Sequence, residues 1–348
     1  MSSGRVRTAG RGPLTVLAAV LAVLTAVAWS LVASPRPAQA SSSREASSHE
    51  VSSHGASLHE VTGFGSNPGN LQMFRYVPSG LSPGRPVVVA IHGCTQDAQG
   101  YAASTGWMRL ADRHGFSVVF PGQRMANHAN SCFHWYLPGD VQRGRGEALS
   151  IKQMVDRVRQ DQGASSAFVS GLSAGGAMAA AMLATYPDVF AGGGVVAGLP
   201  YGCANSMMTA LWPCMSPGVN KSPQEWGDRV RAAFPGYVGP RPKVSVWHGT
   251  ADTKVRPLNG IELVDQFTNV NGVSSTPTRT EIVSGYQRRV HGDSVEYFEI
   301  TGMAHGQPID PGSGPEQCGS PAAHMLSVGI CSAYHMAKFW GITDNGGE

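Results

Sequence analysis

Apolar residues in this chain gather in short unbroken runs, separated by stretches with helical spacing. Val87-Val88-Val89-Ala90-Ile91 is continuous, the pattern of a strand buried on both faces of a parallel sheet, and residues 116–120 read as the next apolar strand. Ala167-Phe168-Val169, residues 194–198, Val244-Ser245-Val246-Trp247-His248 and residues 295–300 extend the series. Residues 73–77 read as a short edge strand. Between these runs, Leu149, Ile151, Met154, Val155 and Val158 recur at helical spacing. Residues 107–113, 176–184, 261–270 and 321–340 read as further helices, and residues 206–237 as an irregular insertion holding Trp212, Cys214 and Trp226. Alternation of this kind predicts an α/β fold, a mainly parallel sheet with helices on both faces and right-handed crossovers. Chemistry is then expected at the carboxyl ends of the strands, where loops follow Ile91, Val169, Trp247 and Ile300.

The stretch after Val169 organises the rest. Gly171-Leu172-Ser173-Ala174-Gly175 lies between an apolar run and an Ala/Met/Leu-rich helix. Strand, tight turn and helix with a serine at the apex is the nucleophile elbow of an α/β hydrolase. The flanking glycines suit a turn that a Cβ would obstruct. The pattern G-x-S-x-G is weak alone, because 44 glycines make chance matches easy. Gly80-Leu81-Ser82-Pro83-Gly84 is such a match. It follows no clear strand, and Pro83 lacks the backbone N–H that must face the oxyanion. Ser82 therefore reads as a turn serine. The bland reading of Ser173 is a small-residue turn packing a helix on a strand.

Acyl transfer also needs a base, a group that orients it, and donors for the oxyanion. Asp252 and His305 each lie just past a predicted strand; taken singly, they read equally as a turn-capping aspartate and a loop histidine. His248 precedes Asp252 and breaks the Ser–Asp–His order of this fold. His291 falls in a strand, His324 and His335 in the closing helix, Asp265 in a helix and Asp293 in a turn. Only Ser173, Asp252 and His305 follow strands in the expected order. They are the expected nucleophile, orienting acid and base. The expected oxyanion donors are the backbone N–H groups of Ala174 and of Cys94, which follows His92-Gly93 after the first central strand. A disulfide would hold that amide in place. Cys132, in a loop between successive elements, is the partner chosen, with a free thiol at Cys94 as the alternative. Trp107, His134, Trp135 and Trp226 are candidates for the substrate cleft, each with core or cap packing as the competing reading.

The ends and the composition add a compartment. Arg5, Arg7 and Arg11 precede an apolar run over residues 14–32, and Ala38-Gln39-Ala40 is a small-residue cleavage site. Residues 1–40 thus read as a secretory signal peptide, with a single membrane anchor as the rival. Residues 41–61, Ser/His-rich with His49, His54 and His59 at even spacing, read as a disordered linker rather than a metal tract. Residues 62–348, roughly 300 of them, suit one catalytic domain. The 6 cysteines all follow the signal, an even number that predicts disulfides in an exported protein, with every connectivity left open by spacing alone. No C-x-x-C or H-x-x-x-H pair suggests zinc. No metal and no cofactor is expected. The formal charge of +3 comes with only 14% charged residues and no Lys/Arg block, which disfavours nucleic acid as a partner.

At this point the motifs resemble a known family. IHGCTQ (residues 91–96), the Cys132–Trp135 loop, GEALSIKQMVD (146–156), GLSAGGAM (171–178), AGLPYG (197–202), WGDRVR (226–231), HGTADTKV (248–255) and GMAHG (302–306) are similar to the esterase/poly(3-hydroxybutyrate) depolymerase family. That family overlaps carbohydrate esterase family 1. The likeness runs from about residue 64 to 341. It implies ester hydrolysis outside the cell by Ser173, Asp252 and His305, without metal or cofactor, and a Cys94–Cys132 disulfide. Proximity in sequence then pairs Cys203 with Cys214 and Cys318 with Cys331. Members with this likeness cut short-chain polyhydroxyalkanoates or release acetyl or feruloyl groups from plant xylan. Many dedicated depolymerases carry a linker and a polymer-binding domain after the catalytic domain, whereas this sequence stops at Glu348. That departure weighs toward soluble or polysaccharide-linked esters. The expectation is a monomeric, secreted serine ester hydrolase acting on polyester, with feruloyl or acetylxylan ester cleavage as the alternative. A catalytically silent polymer-binding protein is the reading from another class.

Overall fold

The computed structural model describes residues 56–343. The expected signal peptide and residues 41–55 of the expected linker lie outside the described residues. One ten-stranded sheet runs through the described part. Its middle is six parallel strands in the order β4 (Ser117–Gly122), β3 (Val87–Ile91), β5 (Ala167–Leu172), β6 (Phe190–Val196), β7 (Lys243–Gly249) and β10 (Val295–Ile300). Antiparallel strands extend both edges. β1 (Ser57–Val61) and β2 (Gln72–Val77) lie beyond β4, and β9 (Tyr286–His291) and β8 (Arg279–Val283) beyond β10.

The sheet buries both faces, as its unbroken apolar runs require. In β3, Val87, Val89 and Ile91 enter one core while Val88 and Ala90 enter the other, the two-residue alternation of a strand. The first core is closed by α4 (Gly146–Gln162), α5 (Ala174–Thr185) and α8 (Leu258–Asn271). The second is closed by α1 (Ala98–Thr105), α2 (Trp107–His114) and α9 (Ser332–Trp340). Every residue of α5 is buried. Its alanines and glycines let it lie close against the sheet, which larger side chains would prevent.

Three elements differ from expectation. The sheet begins at Ser57, inside the segment read as linker, because Ser57–Val61 pairs in register with Val77–Met73. With Ser57, His59 and Glu60 exposed and only Leu58 and Val61 apolar, the strand reads like the polar segment before it. The closing helix is confined to Ser332–Trp340; the residues before it include β12 (Met325–Ser327), paired with β11 (Gln307–Ile309). The irregular insertion contains a helix, here α7 (Pro223–Ala233), after the short α3 (Pro138–Val141) and α6 (Met207–Thr209). It starts at a capping box between Ser222 and Glu225 with Pro223 in the first turn.

Candidate active site

β5 runs into α5 through a single residue, Ser173, whose φ of 57° and ψ of −117° place it in a region that L-residues avoid. Holding it there costs roughly 1–3 kcal/mol. The surroundings impose the angle. The Ser173 N–H donates to Val196 O at 2.9 Å. A Cβ on Gly171 would stand 2.2 Å from Gly175 O, and one on Gly175 would stand 2.2 Å from Ile91 O. Both positions therefore need glycine, and the tight turn presents the serine hydroxyl above the carboxyl ends of β3 and β5.

Asp252 and His305 follow β7 and β10, neighbouring parallel strands. Their loops are fastened together: Thr250 N–H donates to Ile300 O and Ala251 N–H to Met303 O, each at 3.0 Å, and Gly302 N–H to Thr250 Oγ1 at 2.8 Å. Asp252 is buried. Its Oδ1 accepts from the N–H groups of Lys254 and Val255 at 2.9 Å, and its Oδ2 accepts from His305 Nδ1 at 2.7 Å. Burial by itself would raise this carboxyl, but the hydrogen bonds and electrostatic interaction with His248 and His305 outweigh it and hold the group well below the usual carboxylate range. With Nδ1 donating to Asp252, Nε2 of His305 is an acceptor, and it lies 2.9 Å from Ser173 Oγ. This arrangement can take a proton from the serine hydroxyl. His248 lies behind it, Nε2 donating to Val255 O at 2.9 Å and 3.5 Å from Asp252 Oδ2.

The loop after β3 lies over the serine: the Cβ position of Gly93 is 3.5 Å from Ser173 Cβ. Gly93 N–H donates to Gln96 Oε1, Thr95 N–H to Asn130 O and Gln96 N–H to Gly93 O. The Cys94 N–H has no acceptor among the described residues. Ala174 N–H, first in α5, has no partner within the helix. A Cys94–Cys132 disulfide ties this loop to the next one. Beneath it lies a buried polar chain. His92 Nδ1 donates to Gly93 O at 2.8 Å, and its Nε2 accepts from Gln123 N–H at 3.1 Å. The Gln123 amide donates to Glu147 Oε1 at 2.6 Å and to Cys132 O at 3.1 Å. Burial lowers His92 to about 4, so the ring is neutral. The hydrogen bond that His134 donates to Glu147, opposed by partial burial, raises His134. His134, Asp140 and Glu147 present ligand atoms within 4.8 Å of one another, but the Glu147 oxygens are already engaged by Gln123 and His134. Two further disulfides join Cys203 to Cys214 and Cys318 to Cys331.

A cavity of about 160 Å³ opens beside Ser173, walled by Gly93, Gln96, Met215, Lys254, His305 and His324. None of the four cleft candidates lines it. Trp107 is buried in the second core, stacked on Trp340 with ring centroids 5.8 Å apart. Trp226 is buried, and its indole N–H donates to Glu262. Trp135 packs edge-on to Tyr136 in the first core. His134 is bound to Glu147. Indole and imidazole rings are large enough that, in a two-core fold, they fill the gaps between helices and sheet. His324, expected in the closing helix, stands instead in a loop with φ 62°, its ring 5.9 Å from that of His305. Gln96 lay within the quoted IHGCTQ motif and could have been found there. Lys254 likewise fell within HGTADTKV (residues 248–255), whereas Met215 lay in none of the motifs.

The family profile described as "Esterase PHB depolymerase" matches residues 71–285. Poly(3-hydroxyalkanoate) depolymerase C of Paucimonas lemoignei is 51% identical over 290 residues, 81% of this chain and 70% of that protein. Feruloyl esterase B of Thermothelomyces thermophilus is 37% identical over 256 residues, 71% of this chain and 87% of that protein. Among solved structures, an acetyl xylan esterase from Aspergillus awamori superimposes with a TM-score of 0.70 at 30% identity, covering 82% of this chain and 99% of its own. On a ten-stranded α/β sheet with a serine elbow, these matches place the chain, an ester-hydrolysing enzyme by kinship, in the esterase PHB depolymerase family.

Proposed function

We propose that the chain is an exported serine ester hydrolase that cleaves short-chain hydroxyalkanoate polyester. The observation that carries the chemistry is the file Asp252 Oδ2 to His305 Nδ1 at 2.7 Å and His305 Nε2 to Ser173 Oγ at 2.9 Å, with the unengaged amides of Cys94 and Ala174 beside it. Ser173 Oγ attacks the ester carbonyl carbon as its proton passes to His305 Nε2. The carbonyl oxygen becomes an oxyanion that accepts from the Cys94 and Ala174 N–H groups. Asp252 fixes the imidazole tautomer and stabilises the imidazolium. His305 then gives its proton to the departing alcohol, leaving an acyl-serine. Water, deprotonated by His305, attacks that ester, and the carboxylic acid leaves as Ser173 regains its proton.

Identity of 51% to a polyhydroxyalkanoate depolymerase supports polyester as substrate. The 0.70 TM-score to an acetyl xylan esterase supports the second reading, acetyl or feruloyl ester cleavage on xylan. Three disulfides support an oxidising, extracellular setting, and among the described residues no helix is long and apolar enough to cross a membrane.

The test offers amorphous poly(3-hydroxybutyrate) and arabinoxylan side by side, scoring hydroxybutyrate against acetate and ferulate. Hydroxybutyrate release by the wild type, lowered roughly a million-fold in Ser173→Ala, is expected. Release from xylan alone would replace the substrate reading. Turnover by Ser173→Ala at the wild-type rate would overturn the mechanism.

A further inference from the structure

The segment from Cys203 to Cys214 combines a rigid base with an apolar tip that touches little. Met207 is 51% exposed, Met208 80%, Leu211 59% and Trp212 66%. Half of the large exposed hydrophobic side chains among the described residues thus fall within one six-residue span. Scattered exposed hydrophobics need no explanation, but a cluster of this kind marks a contact surface. Disorder does not account for it. The Cys203–Cys214 disulfide closes the segment. Asn259 Nδ2 donates to Cys214 O and Met215 O, and Arg256 N–H donates to Met215 O at 3.0 Å. At the other end, Gln266 exchanges hydrogen bonds with the backbone of Tyr201. The tip is held out into solvent by a clamped frame.

Its position connects it to the catalytic cavity. Met215 forms part of the cavity wall, and Trp212 lies three residues away, within about 11 Å along the backbone. Arg256, on the same loop as Asp252, holds its base. The chemistry of the surface also narrows the occupant. No Asp, Glu, Lys, Arg or His occurs anywhere in residues 189–220, so the tip offers no charge to an ionic partner. Methionine and leucine offer no hydrogen bonds to a polyol, and methionine adapts its shape to irregular apolar surfaces.

We infer that Met207, Met208, Leu211 and Trp212 form a docking knuckle for the uncharged, apolar face of a polyester chain, seated beside the cavity so that an adjacent ester reaches Ser173. This rests on the polyester reading above. It supplies from within the catalytic domain a surface that holds an insoluble substrate.

The test separates holding from cutting. Adsorption to amorphous poly(3-hydroxybutyrate) granules is measured in the Ser173→Ala background, with and without Met208→Ser/Leu211→Ser/Trp212→Ser. Hydrolysis of a soluble p-nitrophenyl ester and of granules is measured with an intact Ser173. The triple variant is expected to lose at least tenfold in granule affinity and in granule hydrolysis while staying within about twofold of wild type on the soluble ester. Met208→Leu/Trp212→Phe, which keeps the apolar surface, is expected to retain adsorption. Unchanged adsorption by the triple variant overturns the proposal even if granules are cut. Knuckle-dependent adsorption without any hydroxybutyrate release sustains the docking surface and overturns the polyester activity. Knuckle-dependent binding to arabinoxylan with none to granules overturns the stated occupant in favour of sugar stacking on Trp212.

Discussion

Glu147 accepts the backbone N–H of His134 at 2.8 Å through Oε2 and the ring of the same residue at 2.9 Å through Oε1. The second oxygen also receives the Gln123 amide. A buried carboxylate thereby fixes the loop that carries Cys132, and through the disulfide the loop that carries the Cys94 N–H. Glu147→Gln puts an N–H₂ group against donors and leaves at least one of them unpaired in the interior. The expected result is a loss of about 1–3 kcal/mol in stability. Because a misplaced donor weakens the transition state more than substrate binding, kcat on a soluble ester should fall roughly ten- to a hundredfold. KM should hold near its original value. Urea unfolding and steady-state kinetics check it; a variant that loses stability at unchanged kcat would reduce Glu147 to a structural role.

The neutral His92 ring sets a pH expectation. Its Nε2 accepts from Gln123 N–H, so protonation there breaks the hydrogen bond and brings two donors face to face. The native group titrates at about 4, while the unfolded chain binds that proton near 6.5. Between those values the unfolded state holds more protons, so the contribution of His92 to stability declines as pH falls across the window. Nitrogen-15 NMR of the imidazole should show one neutral Nδ1–H tautomer from pH 8 to about 5. A midpoint near 6.5 for this ring would contradict the buried chain.

The disulfides divide into two roles. Cys94 and Cys132 lie 38 positions apart in sequence and Cys318 and Cys331 lie 13 apart. Loop entropy gives contributions of about 4 and about 3 kcal/mol respectively. Replacing each pair by serines should lower thermal stability in both cases. Only Cys94→Ser/Cys132→Ser should also lower kcat on a soluble ester, by tenfold or more, because only that pair restrains the Cys94 amide proposed to face the oxyanion. Equal kcat values in the two double variants would remove the link between the disulfide and the donor.

The sheet was legible because a strand buried on both faces favours apolar side chains throughout: β3 is an unbroken apolar run, and β4 and β5 are largely apolar, with Ser117 and Ser170 as buried exceptions. Ser173, Asp252 and His305 could be singled out because each must end a parallel strand in a fixed order, and the structure brings them within hydrogen-bond distance. The edge strand β1 was not legible, since one inward face among Ser, His and Glu resembles a polar tail. The Trp candidates failed for a different reason. Residue type says that Trp107 and Trp226 bury much surface but not whether a ligand or a helix covers it. The buried chain from His92 through Gln123 to Glu147 depends on contacts between segments 24 or more residues apart, which no local pattern encodes.

The backbone angle at Ser173 has an evolutionary corollary. A φ of +57° suits glycine better than any residue with a side chain, and the close approach of Gly175 to Ile91 leaves the elbow no other shape. The proposed nucleophile is therefore also a weak point of the fold, and exchange to glycine would relax it. Laboratory selection for heat resistance alone, with no demand for turnover, should drift toward a sturdier protein with an empty place where its hydroxyl had been.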